Sequence, residues 1–113
     1  MIEKPDINAE ILDRLFDVVE SRKGGDVDVS YTAKLLAAGT PKIAQKVGEE
    51  AIETVIEALA DKHGKIAEES ADLLYHLLVL WADKGVRPED VWSVLVDRFG
   101  ISGIDEKNVR GKD

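Results

Sequence analysis

One segment of the chain, residues 65–84, is apolar around almost its whole helical circumference. At about 100° per residue, only a narrow stripe of that helix is polar, formed by Glu69, Asp72, His76 and Asp83. A helix that is apolar nearly all round is usually buried on several sides. The segment therefore predicts a central helix that neighbouring helices, or a second chain, must cover.

The preceding segment, residues 40–62, predicts a second long helix. Thr40 and Pro41 are typical of a helix start, and the helix is expected to end near His63 and Gly64, with His63 at its C-terminal end. Apolar residues take a wide arc of its surface: Ile43, Val47, Ala51, Ile52, Val55, Ile56 and Leu59. Because only a very short turn separates the two segments, the two helices should pack antiparallel.

Shorter helices are predicted on both sides of this pair, over residues 6–23, 31–38 and 88–99. Ser30 or Thr32 is expected to cap the second of them, and residues 26–30 are expected to form a linker. The predicted fold is thus all-α. We expect one domain over residues 1–100 and a mobile C-terminal tail over residues 101–113.

Two acidic clusters lie on the two long helices, Glu49-Glu50-x-x-Glu53 and Glu69-x-x-Asp72. Acids one turn apart share a helix face, and antiparallel packing can bring the two clusters together. An unpaired carboxylate in dry surroundings is costly or becomes protonated, whereas Mg²⁺ prefers oxygen ligands. A Glu-rich helix by itself is more often a solvated face, but two clusters on consecutive helices favour a metal site.

The composition excludes several classes of function. The net charge of −8 disfavours nucleic-acid binding, and the absence of cysteine excludes thiolate metal sites and disulfides. No apolar run is long enough to span a bilayer, so we expect a soluble, cytoplasmic protein without membrane contact. The sequence has no P-loop string and no recognisable Ser/His/Asp motif. Metal-assisted hydrolysis of a phosphoanhydride suits these residues best.

Two strings carry a family resemblance. SYTAKLLAAGTPKIAQKVGEEAIET at residues 30–54 and EESADLLYHLLVLWADKGV at residues 68–86 strongly resemble the phosphoribosyl-ATP pyrophosphatase family, one of the MazG-like, all-α nucleotide pyrophosphatases. The acidic hallmark of that wider group is matched by five candidate catalytic acids: Glu49, Glu50, Glu53, Glu69 and Asp72.

The resemblance implies a hydrolase that converts 1-(5-phospho-β-D-ribosyl)-ATP and water to the corresponding AMP compound and pyrophosphate. This reaction is the second step of L-histidine biosynthesis. The cofactor implied is Mg²⁺, with Mn²⁺ as the alternative ion, and the implied metal ligands are Glu50, Glu53, Glu69 and Asp72. Glu49 is left as a further ligand, a base that orients water, or a partner of Lys46.

The resemblance also implies a MazG-like helical bundle completed by homodimerisation. The apolar circumference of the 65–84 helix independently points to a partner chain. The family often occurs fused to a zinc-dependent cyclohydrolase. The short length and the lack of cysteine lead us to expect a stand-alone enzyme whose only other partner is its nucleotide substrate.

Five further residues are candidates for substrate contact: Ser30, Tyr31, Thr32, Lys34 and Lys46. The alternatives are a helix cap for the first three and surface lysines for the other two. His76 lies one turn beyond Asp72 and is a candidate donor to a ligand carboxylate, the alternative being an ordinary core histidine.

Rival functions are a pyrophosphatase of other nucleoside triphosphates and a non-enzymatic dimerisation module with acidic surfaces. A carboxylate-bridged di-iron bundle needs Glu-x-x-His pairs, and no Glu has a His three residues on. The strings SYTAKLL and YHLLVL favour the histidine pathway over the first rival.

Overall fold

A computed structural model describes residues 3–100 of the chain. This part holds five helices and no strand: α1 (Glu10–Ser21), α2 (Tyr31–Ala38), α3 (Thr40–Leu59), α4 (His63–Lys84) and α5 (Pro88–Arg98). The all-α prediction is confirmed. None of these helices has the length and apolar character needed to cross a membrane. The tail predicted over residues 101–113 lies outside the described residues.

Several helix ends follow the signals in the sequence. The Ser30 hydroxyl accepts a hydrogen bond from the Ala33 amide at 3.1 Å, so Ser30 caps α2. Gly85 takes a left-handed conformation with φ 73° after α4, and the Val86 amide donates to the Trp81 carbonyl at 2.9 Å. Glycine adopts this conformation without steric cost and is common just after a helix.

Two boundaries differ from prediction. α1 begins at Glu10 rather than at residue 6, because the Asn8 side chain accepts a hydrogen bond from the Glu10 amide at 2.9 Å and so stabilises a later start. The assignment of His63 to the end of the first long helix was wrong, since His63 is the first residue of α4. The turn is made instead at Asp61, whose φ is 58°, a conformation that short polar side chains tolerate.

The core lies where α1 and α2 pack against the hairpin of α3 and α4. α3 and α4 share the largest contact, α1 packs on α4, and α2 packs on both hairpin helices. We call this part of the hairpin, residues 40–47 of α3 and 76–84 of α4, the packed end. Its buried apolar side chains form one cluster with those of α1 and α2: Phe16, Val19, Leu35, Ile43, Leu78, Val79 and Ala82.

The opposite part of the hairpin, residues 52–59 of α3 and 63–74 of α4, leaves apolar side chains in solvent, and we call it the open end. Ile52, Val55 and Ile56 are 62%, 57% and 53% exposed, and Leu59 is 84% exposed. Their spacing puts them on one face of α3. On α4, a single chain fully buries apolar residues only in the C-terminal half of the helix.

Candidate metal centre and substrate site

Three carboxylates from the two long helices converge where the open end adjoins the packed end. Glu50 comes from α3, whereas Glu69 and Asp72 lie one turn apart on α4. One oxygen from each of the three lies within 4.8 Å of the others. The spacing argument from the sequence predicted this meeting of the two clusters, and we call these three residues the acidic cluster.

The electrostatics of the acidic cluster are those of crowded like charges. Desolvation raises the pKa of Glu69, and a hydrogen bond with Glu50 and the charges of Glu50, Glu53 and Asp72 raise it further. Glu50 and Glu69 are partly buried, and Asp72 is exposed. A bound cation would remove this repulsion, because it favours the ionised form of every carboxylate that faces it.

Glu53 and Glu49, the other two candidate acids, lie apart from the acidic cluster. Glu53 is exposed and outside the 4.8 Å group, but its charge still raises the pKa of Glu69. The Glu49 carboxylate lies 3.3 Å from the Lys46 ammonium and accepts a hydrogen bond from Gln45 at 3.0 Å. Of the three roles left open for Glu49, the structure shows the pairing with Lys46.

Lys46 lies between the acidic residues of α3 and the start of α2. The hydrogen bond to Glu49 raises the pKa of Lys46, and Tyr31 raises it further. Desolvation opposes this rise, and the charges of Glu49 and Glu50 add smaller increases. A lysine held cationic beside a carboxylate cluster is well placed to bind phosphate oxygens.

The first turn of α2 is attached to α4 by two side-chain contacts. The Thr32 hydroxyl and the Tyr75 hydroxyl are 2.5 Å apart, and the Tyr31 hydroxyl is 3.4 Å from the Nε2 atom of His76. Ser30 serves as the cap that was predicted as its alternative role. Lys34 is exposed further along α2.

His76 is buried, with 5% of its surface exposed. Its Nδ1 atom lies 2.7 Å from the main-chain oxygen of Asp72. This differs from the predicted bond to a ligand carboxylate, because an imidazole one turn later on the same helix reaches the preceding carbonyl first. The polar stripe continues to Asp83, which accepts a hydrogen bond from Thr40 at 2.5 Å.

Tyr75 and Gln45 were not singled out from the sequence. Tyr75 contacts Thr32, and Gln45 donates to Glu49. Their spacing could have indicated them. Tyr75 lies three residues after Asp72, and Gln45 lies four residues before Glu49, so each shares a helix face with a candidate acid.

The donor set of the acidic cluster fits a hard divalent cation. All its donors are carboxylate oxygens, the ligand type that Mg²⁺ and Mn²⁺ take in proteins. It holds no imidazole or thiolate, which softer metal ions prefer. Three carboxylates on two rigid helices also leave coordination positions for water and phosphate oxygens, as is usual for Mg²⁺.

The fold and the site together define an all-α protein whose helical hairpin gathers three carboxylates. Residues 12–99 match the family model described as Phosphoribosyl-ATP pyrophosphohydrolase. The chain belongs to this enzyme family, as the strings in its sequence indicated.

Curated relatives extend the match over nearly the whole chain. The chain is 62% identical to the phosphoribosyl-ATP pyrophosphatase of Azospirillum brasilense over 92% of its own length and 94% of the relative. It is 59% identical to the protein of the same name from Paramagnetospirillum magneticum, over 93% of this chain and 96% of the relative. The protein of that name from Gluconobacter oxydans is 53% identical, over 91% of this chain and 77% of the relative.

Proposed function

We propose that this protein hydrolyses 1-(5-phospho-β-D-ribosyl)-ATP to 1-(5-phospho-β-D-ribosyl)-5′-AMP and pyrophosphate, the second step of L-histidine biosynthesis, in the cytoplasm. The observation that carries the proposal is the meeting of Glu50, Glu69 and Asp72 within 4.8 Å in a chain that matches the family over residues 12–99. The names of the relatives supply the substrate.

The reaction breaks the bridging P–O bond between the α and β phosphates. The oxygen of water forms the new bond to phosphorus, pyrophosphate leaves, and the proton of water passes to a base. Mg²⁺, or Mn²⁺ as the alternative, would supply charge neutralisation of the polyphosphate and a more acidic water. Glu50, Glu69 and Asp72 would hold the ion, with Glu53 as the fourth oxygen donor because its charge acts on the same group.

Residues around the acidic cluster would bind and orient the substrate. Lys46 provides a cation for phosphate oxygens, and Glu49 fixes its ammonium at 3.3 Å. Tyr31 offers a side chain that is 53% exposed at the start of α2, and Lys34 adds a second cation on that helix. In this arrangement Glu49 acts through Lys46.

A second copy of the chain is proposed to cover the open end. Ile52, Val55, Ile56 and Leu59 form a continuous exposed apolar face on α3, of the kind that marks an interface in a soluble protein. The acidic cluster borders this face, so each site would lie near the subunit boundary. Sedimentation equilibrium at micromolar concentration should give twice the chain mass, and the mass of one chain would contradict the dimer.

The function is tested by pyrophosphate release from phosphoribosyl-ATP, ATP and dCTP, each with Mg²⁺, with Mn²⁺ and with a chelator. We expect metal-dependent release from phosphoribosyl-ATP that greatly exceeds release from the other two. Equal rates on all three substrates would contradict the specific assignment and favour a general nucleotide pyrophosphatase. Unchanged rates in the chelator would contradict the metal.

A further inference from the structure

The buried His76 connects two parts of the candidate site. On one side its Nδ1 atom is 2.7 Å from the main-chain oxygen of Asp72. On the other side its Nε2 atom is 3.4 Å from the Tyr31 hydroxyl. A carbonyl oxygen can only accept a hydrogen bond, so Nδ1 carries the proton. In the neutral ring Nε2 is then an acceptor, and the Tyr31 hydroxyl donates to it.

Ring packing supports the same geometry. The Tyr31 and Tyr75 rings stack with centroids 6.4 Å apart, and the Tyr31 ring meets the His76 ring edge-on at 6.2 Å. Tyr75 also contacts Thr32, the residue after Tyr31. Tyr31 and Thr32 in the first turn of α2 thus contact His76 and Tyr75 of α4. These two residues of α4 lie one turn beyond Asp72.

We propose that His76 is a positioning residue that holds the Tyr31 hydroxyl, and with it the first turn of α2, in place beside Lys46 and the acidic cluster. The proposal rests on the proposed function, because it takes Tyr31 and Lys46 to contact the substrate. His76 itself would touch neither the substrate nor the metal. Its role is to present the Tyr31 side chain, which is 53% exposed, in one orientation.

Loss of the Nε2 acceptor would let the Tyr31 side chain and the α2 start move while the carboxylates stay in place. Substrate binding then weakens, whereas the chemical step at the acidic cluster is unchanged. One neutral hydrogen bond contributes about tenfold in affinity. We therefore expect a rise in KM of about that size with little change in kcat.

Two substitutions separate the two ring nitrogens. The amide nitrogen of Asn lies where Nδ1 of His lies relative to Cβ, and the amide group of Gln reaches the position of Nε2. His76→Asn should keep the bond to the Asp72 carbonyl and raise KM about tenfold. His76→Gln should keep a partner for Tyr31 and stay within about threefold of the wild-type KM. His63→Asn is the matched control, since His63 has 91% side-chain exposure and should leave KM unchanged.

The link to Tyr31 is tested by Tyr31→Phe, which keeps the ring and removes the donor. Tyr31→Phe should raise KM as His76→Asn does, and the double variant should be no worse than either single variant, because both remove the same bond. Additive effects, or a His76→Asn enzyme with wild-type KM, would overturn the proposal. So would a fall in kcat at unchanged KM.

The geometry is also measurable without activity. Ring-nitrogen NMR of histidine-labelled wild-type protein at pH 8 should show the proton of His76 on Nδ1, with His63 as the exposed reference. The Nε2 resonance of His76 should shift in Tyr31→Phe. A proton on Nε2, or no shift in Tyr31→Phe, would overturn the positioning role even if His76→Asn fails to fold. If the wild-type protein does not hydrolyse phosphoribosyl-ATP, the proposed function fails while this spectrum still decides the geometry.

Discussion

The two ends of the α3–α4 hairpin are built from similar apolar residues but have different surroundings. At the packed end, Leu78 and Val79 are 1% and 0% exposed, because α1 and α2 cover them. At the open end, Ile56 and Leu59 are 53% and 84% exposed. The difference shows that a single chain buries only one end of its hairpin. The acidic cluster lies where the two ends adjoin.

The position of the acidic cluster has a chemical consequence. The packed end gives Glu50, Glu69 and Asp72 rigid backbones, since the helices that carry them are fixed in the core at one end. The open side gives access to substrate and solvent. A rigid set of ligands with open coordination positions is what metal-assisted hydrolysis needs.

The largest effect is expected at the border between the two ends. Asp72→Asn removes the charge of one proposed metal ligand and should lower phosphoribosyl-ATP hydrolysis by about 100-fold or more, with the helical circular dichroism spectrum unchanged. Glu68→Gln is the control, because Glu68 is exposed, its carboxylate lies 4.0 Å from Lys65, and it is outside the 4.8 Å group. Asp72→Asn with wild-type turnover would favour the dimerisation module.

The packed end is tested by Leu78→Ala. Leu78 is 1% exposed, and truncation of a buried leucine lowers the free energy of unfolding by about 3 kcal/mol. Leu74→Ala, at a side chain 43% exposed in the single chain, should lower it by about 1 kcal/mol or less at protein concentrations where the chain is monomeric. Urea unfolding gives both values, and equal losses would contradict the distinction between the two ends.

The open end is tested by Ile56→Glu, which places a charge in the exposed apolar face of α3. Sedimentation equilibrium should show dissociation to single chains, because an unpaired charge is unfavourable in an apolar interface. Val29→Glu is the control, since Val29 is 81% exposed in the linker before α2 and should keep the wild-type mass. A dimeric Ile56→Glu protein would show that the partner binds elsewhere.

The smallest effect is a pH dependence of stability. The pKa of Glu69 is raised above its usual value of 4.5 in the fold, so the folded protein binds this proton more tightly than the unfolded chain does. The metal-free protein should therefore lose stability as the pH rises from 4.5 through the raised pKa. Mg²⁺ should remove this loss, because it favours the ionised carboxylate.

Thermal unfolding from pH 4 to pH 8, with Mg²⁺ and with a chelator, measures this effect. The contribution of Glu69 is the difference in the pH dependence of stability between the wild-type protein and Glu69→Gln. The lowered pKa of Glu49 has the opposite effect on stability, but it is present in both proteins and cancels in the difference. A wild-type curve parallel to that of Glu69→Gln in the chelator would contradict the crowding of carboxylates.

Much of the fold could be predicted, because its signals are local. Ser30 caps α2 and Gly85 ends α4, as their residue types indicate. The turn between α3 and α4 was assigned to the wrong residues, since Asp61 rather than Gly64 takes the positive φ. Asp61 joins two helices that pack against each other, and that tertiary contact is not part of a local signal.

The candidate site was predictable to the level of helix faces. Side chains one turn apart share a face, so spacing predicted that Glu50 and Glu53 would meet Glu69 and Asp72. The structure brings Glu50, Glu69 and Asp72 together, with Glu53 outside the group. The partner of Glu49 stayed open, since Lys46 and the acidic cluster were both within reach along α3. The contact between His76 and Tyr31 joins residues 45 positions apart, and it depends on how α2 packs against α4, which the spacing of neither helix specifies.

The central claim is that Glu50, Glu69 and Asp72 hold a divalent cation. Crystals grown with Mn²⁺ and measured near the manganese absorption edge test it most directly. We predict an anomalous peak bounded by carboxylate oxygens of these three residues at about 2.2 Å. A peak elsewhere in the chain, or no peak at a Mn²⁺ concentration that supports full hydrolysis in solution, would contradict the claim.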